Sequence, residues 1–539
     1  MKFSTTPDGE RFPLPKPEND RAEYKRVKAL ADEKRRAGHE IVVVMGLGFV
    51  GAVMAAVVAD SVDRKTRKPR KLVIGVQRPS VRSYWKVPVL NRGVPPVSAE
   101  DPAVPAMIAR TVKRKKTLVA THTEEALKLA DVVVVDVQCD YVKESLGDIS
   151  TGWADMEAFK AAIATIGRKI PAGALVLVET TVAPGTTEHV AFPILQREFR
   201  RRKITSEPLL AHSFERVMPG RDYVASIRDF WRVCAGCTPA ARKRAAKFLH
   251  EVLDTRKFPL TVLDRPIESE TTKIMENAWR ATILAYMAEW GIFCERAGVD
   301  MAKVVQAIKV RPTHSNILFP GPGIGGYCLP KDGALGIWAA TNILGFKDAD
   351  KVFQFTGRAI NINDTRALHA ADLLEEALAE LGRKVRGAKV LLLGAAYRQD
   401  VGDTRYSPSE LIVRRLAELG ADVRVHDPYL EQWWELEQQD TQGHSWKRYF
   451  RNQAKLKALR LEPDLARALK GVHAVIFAAR HAPYLKLSPQ RVVRDAGRRL
   501  AVVDCFAVLP DAKIKAYLGL GCAVRAMGRG HIAHLKKKN

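Results

Sequence analysis

The chain is short of acidic residues and has no signature of a nucleic-acid-binding module. Its 539 residues include 60 Asp and Glu against 87 Lys and Arg, which gives a formal net charge of +27. Such an excess makes nucleic-acid binding an obvious alternative. However, the basic residues are spread along the chain, and no helix-turn-helix, zinc-finger or RNA-recognition motif is present. A hydrophobic fraction of 47% is typical of a globular protein, and the length allows two or three domains.

Cysteines are few, and the N-terminus lacks an apolar signal core. Seven cysteines at irregular spacings do not predict a disulfide framework. Cys234 and Cys237 have Cys-x-x-Cys spacing, but one such pair without a second is weak evidence for zinc or for redox chemistry, so no metal site is predicted. Without a signal core, a reducing cytoplasm is the simplest compartment.

Residues 41–59 carry no charge, and their glycines indicate a dinucleotide site. Ile41–Met45 predicts a buried strand, and the small apolar residues that follow the glycines predict a helix. A membrane helix is the alternative for an uncharged stretch of this length. The spacing Gly-x-Gly-x-x-Gly and a second apolar strand at Leu72–Val76 favour a βαβ unit instead. The residues predicted to bind the cofactor here are Gly46, Gly48, Phe49, Val50 and Gly51.

Cys328 lies in the loop Gly323–Asp332, which has three glycines before the cysteine and a proline, a lysine and an aspartate after it. Glycines let a backbone approach a ligand closely, and Lys331 would favour the thiolate, so this is the setting of a nucleophile. A single intracellular cysteine is more often a small buried hydrophobe. Together with a nicotinamide site, the loop favours oxidation of an aldehyde to an acid through a thiohemiacetal and a thioester.

Four further motifs follow predicted strands or open a predicted helix. They are Glu179–Thr187, Phe214–Gly220, Glu270–Asn277 and Asp403–Pro408. In this order, and with the cysteine loop as the most specific part, the motifs resemble the UDP-glucose/GDP-mannose dehydrogenase family of nucleotide-sugar 6-dehydrogenases. The resemblance runs from about residue 40 to about residue 530.

The resemblance and the alternating strands and helices imply an α/β fold with two Rossmann-like doubly wound domains joined by a long central helix. The expected segments are a polar extension preceding the first strand (1–38), an NAD-binding domain (39–257), a central helical dimerisation region with the cysteine loop (258–380) and a C-terminal UDP-binding domain (381–539). Residues 430–459 are predicted to be an insertion between strands.

Catalytic roles are implied by the resemblance, position by position. Cys328 matches the nucleophile, which the family places in the cleft between the two domains. Lys273 and Asn277 match the pair that stabilises the oxyanion of the thiohemiacetal. Residues that match other roles are Asp332 and Thr181 (holding a catalytic water), Glu215 (thioester hydrolysis) and Arg405 (reaching the dinucleotide). Thr181 is also expected to bind the cofactor. The residues expected to bind substrate are Glu215, Arg216, Lys273, Asn277, Arg311, Gly325, Tyr397 and Arg398.

Two departures from the family pattern concern the cofactor. The second strand ends in Gln77-Arg78, where an NAD site usually has an acidic residue for the ribose diol. Gln77 can still bond a hydroxyl and Arg78 could meet a 2′-phosphate, so we expect NAD with weakened discrimination, and NADP is not excluded. In Val135–Asp140 the chain also lacks the Thr-Pro step that the family usually has near the nicotinamide ribose.

The expected reaction is an NAD-dependent four-electron oxidation of a UDP-sugar at C6, giving a uronate. Asn316–Gly323 and Glu215–Gly220 resemble the UDP-N-acetylhexosamine branch (ManNAc or GlcNAc) more than the UDP-glucose branch. UDP-glucose 6-dehydrogenase, a two-electron β-hydroxyacid dehydrogenase and a polyanion-binding protein on a dehydrogenase scaffold remain alternatives. The expected partners are the nucleotide-sugar and further copies of the chain, in a homodimer or larger homo-oligomer, with neither nucleic acid nor membrane.

Overall fold

The computed structural model describes residues 2–97, 99–218, 220–437 and 446–537. The chain divides into two compact units. The first unit contains residues 1–140, 154–274 and 338–347, and the second contains residues 141–153, 275–337 and 348–539.

The first twelve strands are short and lie before residue 263. They are β1 (Phe3–Thr5), β2 (Arg11–Pro13), β3 (Glu40–Met45), β4 (Lys71–Val76), β5 (Leu118–Thr121), β6 (Val132–Val135), β7 (Asp140–Val142), β8 (Trp153–Asp155), β9 (Leu175–Val178), β10 (Leu209–His212), β11 (Val233–Gly236) and β12 (Thr261–Val262). The α-helices of this part are α1 (Asn19–Arg36), α2 (Phe49–Asp60), α3 (Lys86–Asn91), α4 (Ala103–Ala109), α5 (Glu157–Lys169), α6 (Phe192–Arg201), α7 (Tyr223–Arg228), α8 (Pro239–Val252) and α9 (Pro266–Ala297).

The core of the first unit is an eight-stranded sheet in the order β12-β11-β10-β9-β6-β3-β4-β5. Every neighbouring pair is parallel except β10 and β11. The inner strands are continuous Val, Ile and Leu runs because helices cover both faces of such a sheet. The strand order reverses between β3 and β6, and ligands of doubly wound folds bind at the carboxyl ends of the strands at such a point.

The N-terminal extension is more structured than the sequence analysis predicts. It was expected to precede the first strand, but residues 2–38 contain the antiparallel pair β1–β2 and the 18-residue helix α1. The hairpin is held to the first unit where Trp85 N donates to Ser4 Oγ at 3.1 Å. Helix α1 is held where Thr121 Oγ1 donates to Glu23 Oε1 at 2.7 Å. The polar composition of the extension did not predict β1, β2 and α1, because contacts with the sheet stabilise them rather than an apolar core of their own.

The second unit has a parallel sheet of five strands in the order β14-β13-β15-β16-β17. These strands are β13 (Lys389–Leu393), β14 (Asp422–His426), β15 (Ala474–Phe477), β16 (Ala501–Asp504) and β17 (Ala523–Ala526). The remaining helices are α10 (Met301–Lys309), α11 (Asp332–Asn342), α12 (Ala349–Val352), α13 (Thr356–Thr365), α14 (Leu368–Glu380), α15 (Pro408–Glu418), α16 (Trp434–Glu437), α17 (Leu465–Leu469), α18 (Ala482–Leu485), α19 (Pro489–Ala496), α20 (Asp511–Gly519) and α21 (Ile532–Lys537).

The start and the end of α15 follow signals in the sequence, because a serine before a helix indicates a cap and a glycine after it indicates the end. Ser407 precedes the helix and its side chain accepts a hydrogen bond from Ser409 N, while Gly420 adopts a φ of +85° just beyond the end. The predicted long helix is also present as α9, and the boundary of the two units falls within it, after Ile274. Across the described ranges, no helix is both long enough and apolar enough to span a bilayer. The expected α/β class with two doubly wound sheets is therefore confirmed.

Candidate active site

The glycine-rich loop between β3 and α2 is shaped for close approach of a ligand. Gly46 has a φ of +98°, and a Cβ there would lie 2.4 Å from Asp136 O. A Cβ on Gly51 would lie 2.0 Å from Gly46 O, so neither position tolerates a side chain. Gly48 has open space where its Cβ would be, and it precedes the first turn of α2. The N-terminal end of a helix, with its N–H groups and positive dipole end, fits a pyrophosphate.

Phe49 and Val50, the other residues predicted in this loop, form the first turn of α2. The ring of Phe49 stacks on Tyr223 with a centroid distance of 4.7 Å, and Tyr223 Oη donates to Phe49 O. Val50 is half-buried. Tyr223 was not singled out by the sequence analysis, because its position lies 174 residues away along the chain.

Both polar atoms of the Gln77 side-chain amide form hydrogen bonds within the protein. Its Oε1 accepts from Leu47 N at 3.0 Å, and its Nε2 donates to Ser83 Oγ at 3.2 Å. Gln77 therefore ties the end of β4 to the glycine loop, and the ribose contact expected for it stays a prediction. Arg78 is exposed at the end of the same strand.

Asp136, which lies against the glycine loop, forms a cluster with Glu179 and Arg232 that was not predicted as a group. Asp136 follows β6, Glu179 follows β9, and Arg232 precedes β11 and donates from Nη2 to Glu179. Burial raises the pKa of Asp136 well above its ordinary value, and the neighbouring Glu179 raises it further. Burial also raises the pKa of Glu179, against the opposing effect of Arg232. The sequence pattern that could have indicated Asp136 and Glu179 is a carboxylate directly after each of two buried valine- and leucine-rich runs.

Lys273 and Glu215 are brought together in the first unit. Lys273 Nζ donates to Glu215 O at 2.8 Å and lies 3.8 Å from Glu215 Oε1, and both side chains are buried. Glu215 Oε2 in turn accepts from Val217 N. Nearby, burial lowers the pKa of His212 to about 3, so its imidazole is neutral and its Nδ1 pairs with Ser269 Oγ at 2.9 Å.

The other first-unit candidates lie at neighbouring strand ends. Thr181 is half-buried in the segment after β9, and Glu270 orders the continuation of that segment by accepting from Gly185 N at 2.6 Å and Thr187 N at 2.8 Å. Arg216 donates from Nη1 to Trp231 O at 2.6 Å. Pro219 of the Phe214–Gly220 motif lies outside the described residues.

In the second unit, the loop Gly323–Asp332 (the cysteine loop) turns into α11 immediately after Cys328. Lys331 N and Asp332 N both donate to Cys328 O, at 3.1 and 3.0 Å. The buried carboxylate of Asp332 accepts from Lys331 Nζ at 2.9 Å and from Asn277 Nδ2 at 2.7 Å. Asn277, Lys331 and Asp332 are thus grouped around the turn that carries the half-buried thiol of Cys328.

A second loop contacts the cysteine loop. Arg405 Nε and Nη2 donate to Asp403, at 2.9 and 2.6 Å, and Gly326 N donates to Arg405 O at 2.8 Å. Tyr397 leaves no room for a side chain on Gly325, where a Cβ would lie 2.2 Å from Tyr397 Cβ. Burial raises the pKa of the Tyr397 hydroxyl.

Tyr397 and Arg398 follow β13, beside the point where the order of the five-stranded sheet reverses between β13 and β15. This is the position at which a doubly wound sheet binds a nucleotide. Arg398 is exposed there. Arg311 is also exposed, and it lies apart from this loop in sequence, after α10.

Two other groups of possible metal-ligating side chains are explained by burial or by ion pairs within the protein. Burial raises the pKa of the Cys234 thiol to about 11, and burial also raises that of Cys237, which disfavours the thiolate that zinc or redox chemistry requires. Asp300, Asp511 and His531 have side-chain atoms within 4.8 Å of one another. However, Arg529 pairs with both aspartates and Lys303 pairs with Asp511, so cations already neutralise this cluster.

A glycine-loop site on one doubly wound sheet and a second doubly wound sheet define a dinucleotide-binding α/β protein. Profiles of three domains of the UDP-glucose/GDP-mannose dehydrogenase family match the chain: the NAD-binding domain at residues 40–254, the central domain at 267–364 and the UDP-binding domain at 391–511. The chain belongs to this family of nucleotide-sugar dehydrogenases, and its cofactor is NAD.

Individual relatives agree with this assignment. A UDP-N-acetyl-D-mannosamine dehydrogenase of Pyrococcus horikoshii is 29% identical over 493 residues, covering 91% of this chain and all of the relative. A UDP-glucose 6-dehydrogenase of Bacillus subtilis is 25% identical over 392 residues, covering 72% of this chain and 79% of the relative. The structure of an NDP-N-acetyl-D-galactosaminuronic acid dehydrogenase from Methanosarcina mazei is 26% identical, with a TM-score of 0.71 over 94% of this chain and 99% of that chain.

Proposed function

We propose that the protein oxidises the C6 alcohol of a UDP-N-acetylhexosamine to the uronate, in a four-electron reaction that consumes two NAD. The observation that carries this proposal is Cys328 in a glycine-rich turn, in a chain that has both the NAD-binding and the UDP-binding domains of the family. A two-electron dehydrogenase needs no such cysteine. The resemblance of residues 316–323 to the N-acetylhexosamine branch, and the name of the Pyrococcus relative, support the choice of sugar.

In the proposed reaction, NAD held at the glycine loop by Gly46, Gly48 and Gly51 would supply the hydride acceptor for both oxidation steps. Cys328 Sγ adds to the C6 aldehyde made in the first step, which gives a thiohemiacetal. Loss of the second hydride leaves a thioester on Cys328, and a water molecule cleaves it to the uronate and the free thiol. We assign stabilisation of the thiohemiacetal oxyanion to the Lys273 ammonium and the Asn277 amide. Asp332, Thr181 and Glu215 are assigned to the hydrolytic water.

We further propose residues 39–257, 258–380 and 381–539 as the NAD-binding, central and UDP-binding regions.

We also propose that the working form is a homodimer. Support for the dimer comes from α9. Five large apolar side chains on this helix recur at spacings of three, four or seven residues and are between 42% and 65% exposed: Met275, Trp279, Tyr286, Trp290 and Phe293. A stripe of this kind packs well against the same stripe of a second copy.

The test is a panel of UDP-sugars with NAD, followed by the absorbance of the reduced cofactor and by identification of the product. We expect UDP-ManNAc or UDP-GlcNAc to be the best substrate and the product to be the uronate, with two NADH per sugar. UDP-glucose as the best substrate would move the protein to the other branch of the family. One NADH per sugar would show a two-electron enzyme.

The same assay tests covalent catalysis. Cys328→Ser should abolish uronate formation, because the serine hydroxyl is a far weaker nucleophile than a thiolate. Cys237→Ser is the matched control, since that thiol is also half-buried but lies in the first unit. Turnover of Cys328→Ser at the wild-type rate would overturn the proposed mechanism.

A further inference from the structure

The loop Asp403–Ser407 (the arginine loop) is in direct contact with the cysteine loop. The hydrogen bond from Gly326 N to Arg405 O joins the two backbones two residues before Cys328. A Cβ on Gly325 would lie 3.0 Å from Tyr406 O, so the two loops pack without space for adjustment. Any movement of the arginine loop therefore moves the backbone that carries the candidate nucleophile.

The arginine loop does not hold its shape through local preference alone. Tyr406 has a φ of +51°, a left-handed conformation that a tyrosine adopts at a cost in free energy. Such a conformation persists only where surrounding contacts impose it. The side chain of Tyr406 is buried, and residues 430–459 (the insertion) add contacts to those that the arginine loop makes with the cysteine loop.

Two side chains of the insertion contact the arginine loop. Glu435 Oε2 accepts from Thr404 Oγ1 at 2.7 Å, and both residues are buried. The ring of Trp446 meets Tyr406 edge-on, with a centroid distance of 5.9 Å and an interplanar angle of 75°. These contacts hold the residues on either side of Arg405.

The insertion is itself anchored to the rest of the second unit. Glu410 Oε1 accepts from Trp446 N at 3.2 Å and from Arg414 Nε at 2.7 Å. Arg414 is fully buried and also donates to Gln453 Oε1 at 3.3 Å. Lys143 Nζ also lies over the ring of Trp446, 5.7 Å from the ring centroid.

We propose that the insertion positions the cysteine loop for catalysis, with Glu435 and Trp446 as positioning residues that act through Thr404 and Tyr406. The amino-acid sequence alone indicates no role for this segment. The inference rests on the proposed function in one respect, that Cys328 is the nucleophile. Residues 438–445 of the insertion lie outside the described residues, and no part of the proposal depends on them.

The test compares Thr404→Val and Glu435→Ala with Thr404→Ser, Glu435→Gln and the exposed-site control Arg451→Ala. Thr404→Val keeps the shape of the side chain and removes the donor, while Thr404→Ser and Glu435→Gln keep the hydrogen bond. Because a misplacement of about 1 Å can cost about a hundredfold in rate, we expect Thr404→Val and Glu435→Ala to lower kcat by about tenfold or more, with a smaller change in KM for the UDP-sugar. The other three variants should stay near wild type.

A second readout needs neither substrate nor NAD. The rate at which iodoacetamide alkylates Cys328, followed on its peptide by mass spectrometry, should change in Thr404→Val and Glu435→Ala and be preserved in the conservative variants. If folded Thr404→Val shows the wild-type kcat and the wild-type alkylation rate, the proposal is wrong. If Glu435→Ala does not fold, Thr404→Val alone tests the positioning role. A wild-type protein that oxidises no UDP-sugar would instead overturn the proposed function, and the alkylation rates would still test the positioning.

Discussion

At the scale of single residues, Lys273 is the buried cation on which the proposed chemistry depends most. A donor aimed at a developing oxyanion contributes about 3–4 kcal/mol, or roughly 10²–10³ in rate. Lys273→Ala should therefore lower kcat by roughly 10²–10³ while the UDP-sugar still binds, as steady-state kinetics and a binding assay would show. The exposed Lys351→Ala is the control for loss of one charge. A change confined to KM would make Lys273 a substrate clamp.

A second residue-scale prediction concerns Gln77 and the choice of cofactor. Gln77→Glu keeps the length of the side chain and the oxygen that accepts from Leu47 N, and it adds the negative charge that repels a 2′-phosphate. We expect the ratio of kcat/KM for NAD over NADP to rise in this variant, measured with both cofactors. If the wild-type enzyme already rejects NADP as strongly as the variant does, Gln77 and Arg78 do not read the 2′ position.

Site residues were predicted well where a motif of neighbouring residues marks them. They were predicted poorly where their contact is with a residue distant in the sequence. The glycine loop, the cysteine loop and the Glu215 motif each carry their signal within ten residues. The pair Asp136–Glu179 and the bond from Thr404 to Glu435 join residues 43 and 31 positions apart. A local pattern can mark a single carboxylate, but it does not identify the partner, because the two meet only when parallel strands place their carboxyl ends at one edge of a sheet.

At the scale of elements, the insertion contains a carboxyl group with an unusual proton affinity. Burial, and then the neighbouring Glu410, raise the pKa of Glu435 to about 7 from an ordinary 4.5, while Thr404 opposes the shift. A carboxyl with a raised folded-state pKa favours folding when protonated, so its contribution is full below about pH 4.5 and is lost as the pH rises through 7. The shift corresponds to about 3 kcal/mol at most.

Glu435→Gln keeps an acceptor for Thr404 and cannot ionise. We therefore expect its melting temperature, relative to wild type, to increase between pH 5 and pH 8, measured by differential scanning fluorimetry. Glu431→Gln, at an exposed site in the same segment, should show no such trend. A difference between Glu435→Gln and wild type that is constant over this range would show that Glu435 does not titrate there.

Elements were predictable where burial leaves a clear pattern. Strands β3 and β4 were predicted from their runs of branched apolar residues, and β6 and β13 carry runs of the same kind. The hairpin β1–β2 and helix α1 were missed, because three-residue strands and a helix rich in charged residues carry no periodic apolar signal.

At the scale of the whole molecule, the exposed stripe of α9 predicts association of two copies. Tyr286→Glu with Trp290→Glu places two charges in the middle of the stripe, and burying them on association would cost free energy. Sedimentation velocity should show wild type at twice the 59.8-kDa chain mass and the double variant at the single mass. Gln354→Glu, a charge added at an exposed site outside α9, should leave association unchanged. A wild type that stays monomeric at micromolar concentration would contradict the dimer.

The overall architecture was predictable because two βαβ patterns, one beginning at residue 41 and the other at residue 389, each specify a doubly wound sheet. Net charge was uninformative at this scale. Ion pairs such as Arg110 with Asp60 and Lys71 with Glu40 leave the net excess of +27 unchanged, but the basic residues are spread along the chain, so the excess does not by itself indicate a polyanion surface.

The outer edge of the eight-stranded sheet has a further consequence. Strand β5 is outermost, and the side-chain amide of Asn91 closes part of its free edge: Nδ2 donates to Ala120 O at 2.9 Å and Oδ1 accepts from Ala120 N at 2.7 Å. Arg26 of α1 also donates to Ala120 O, at 3.3 Å. A bare edge strand templates aggregation by pairing with the edge of another chain. We therefore expect shielding of this edge by one amide and the N-terminal helix to reduce fibril-like self-association when the protein is crowded.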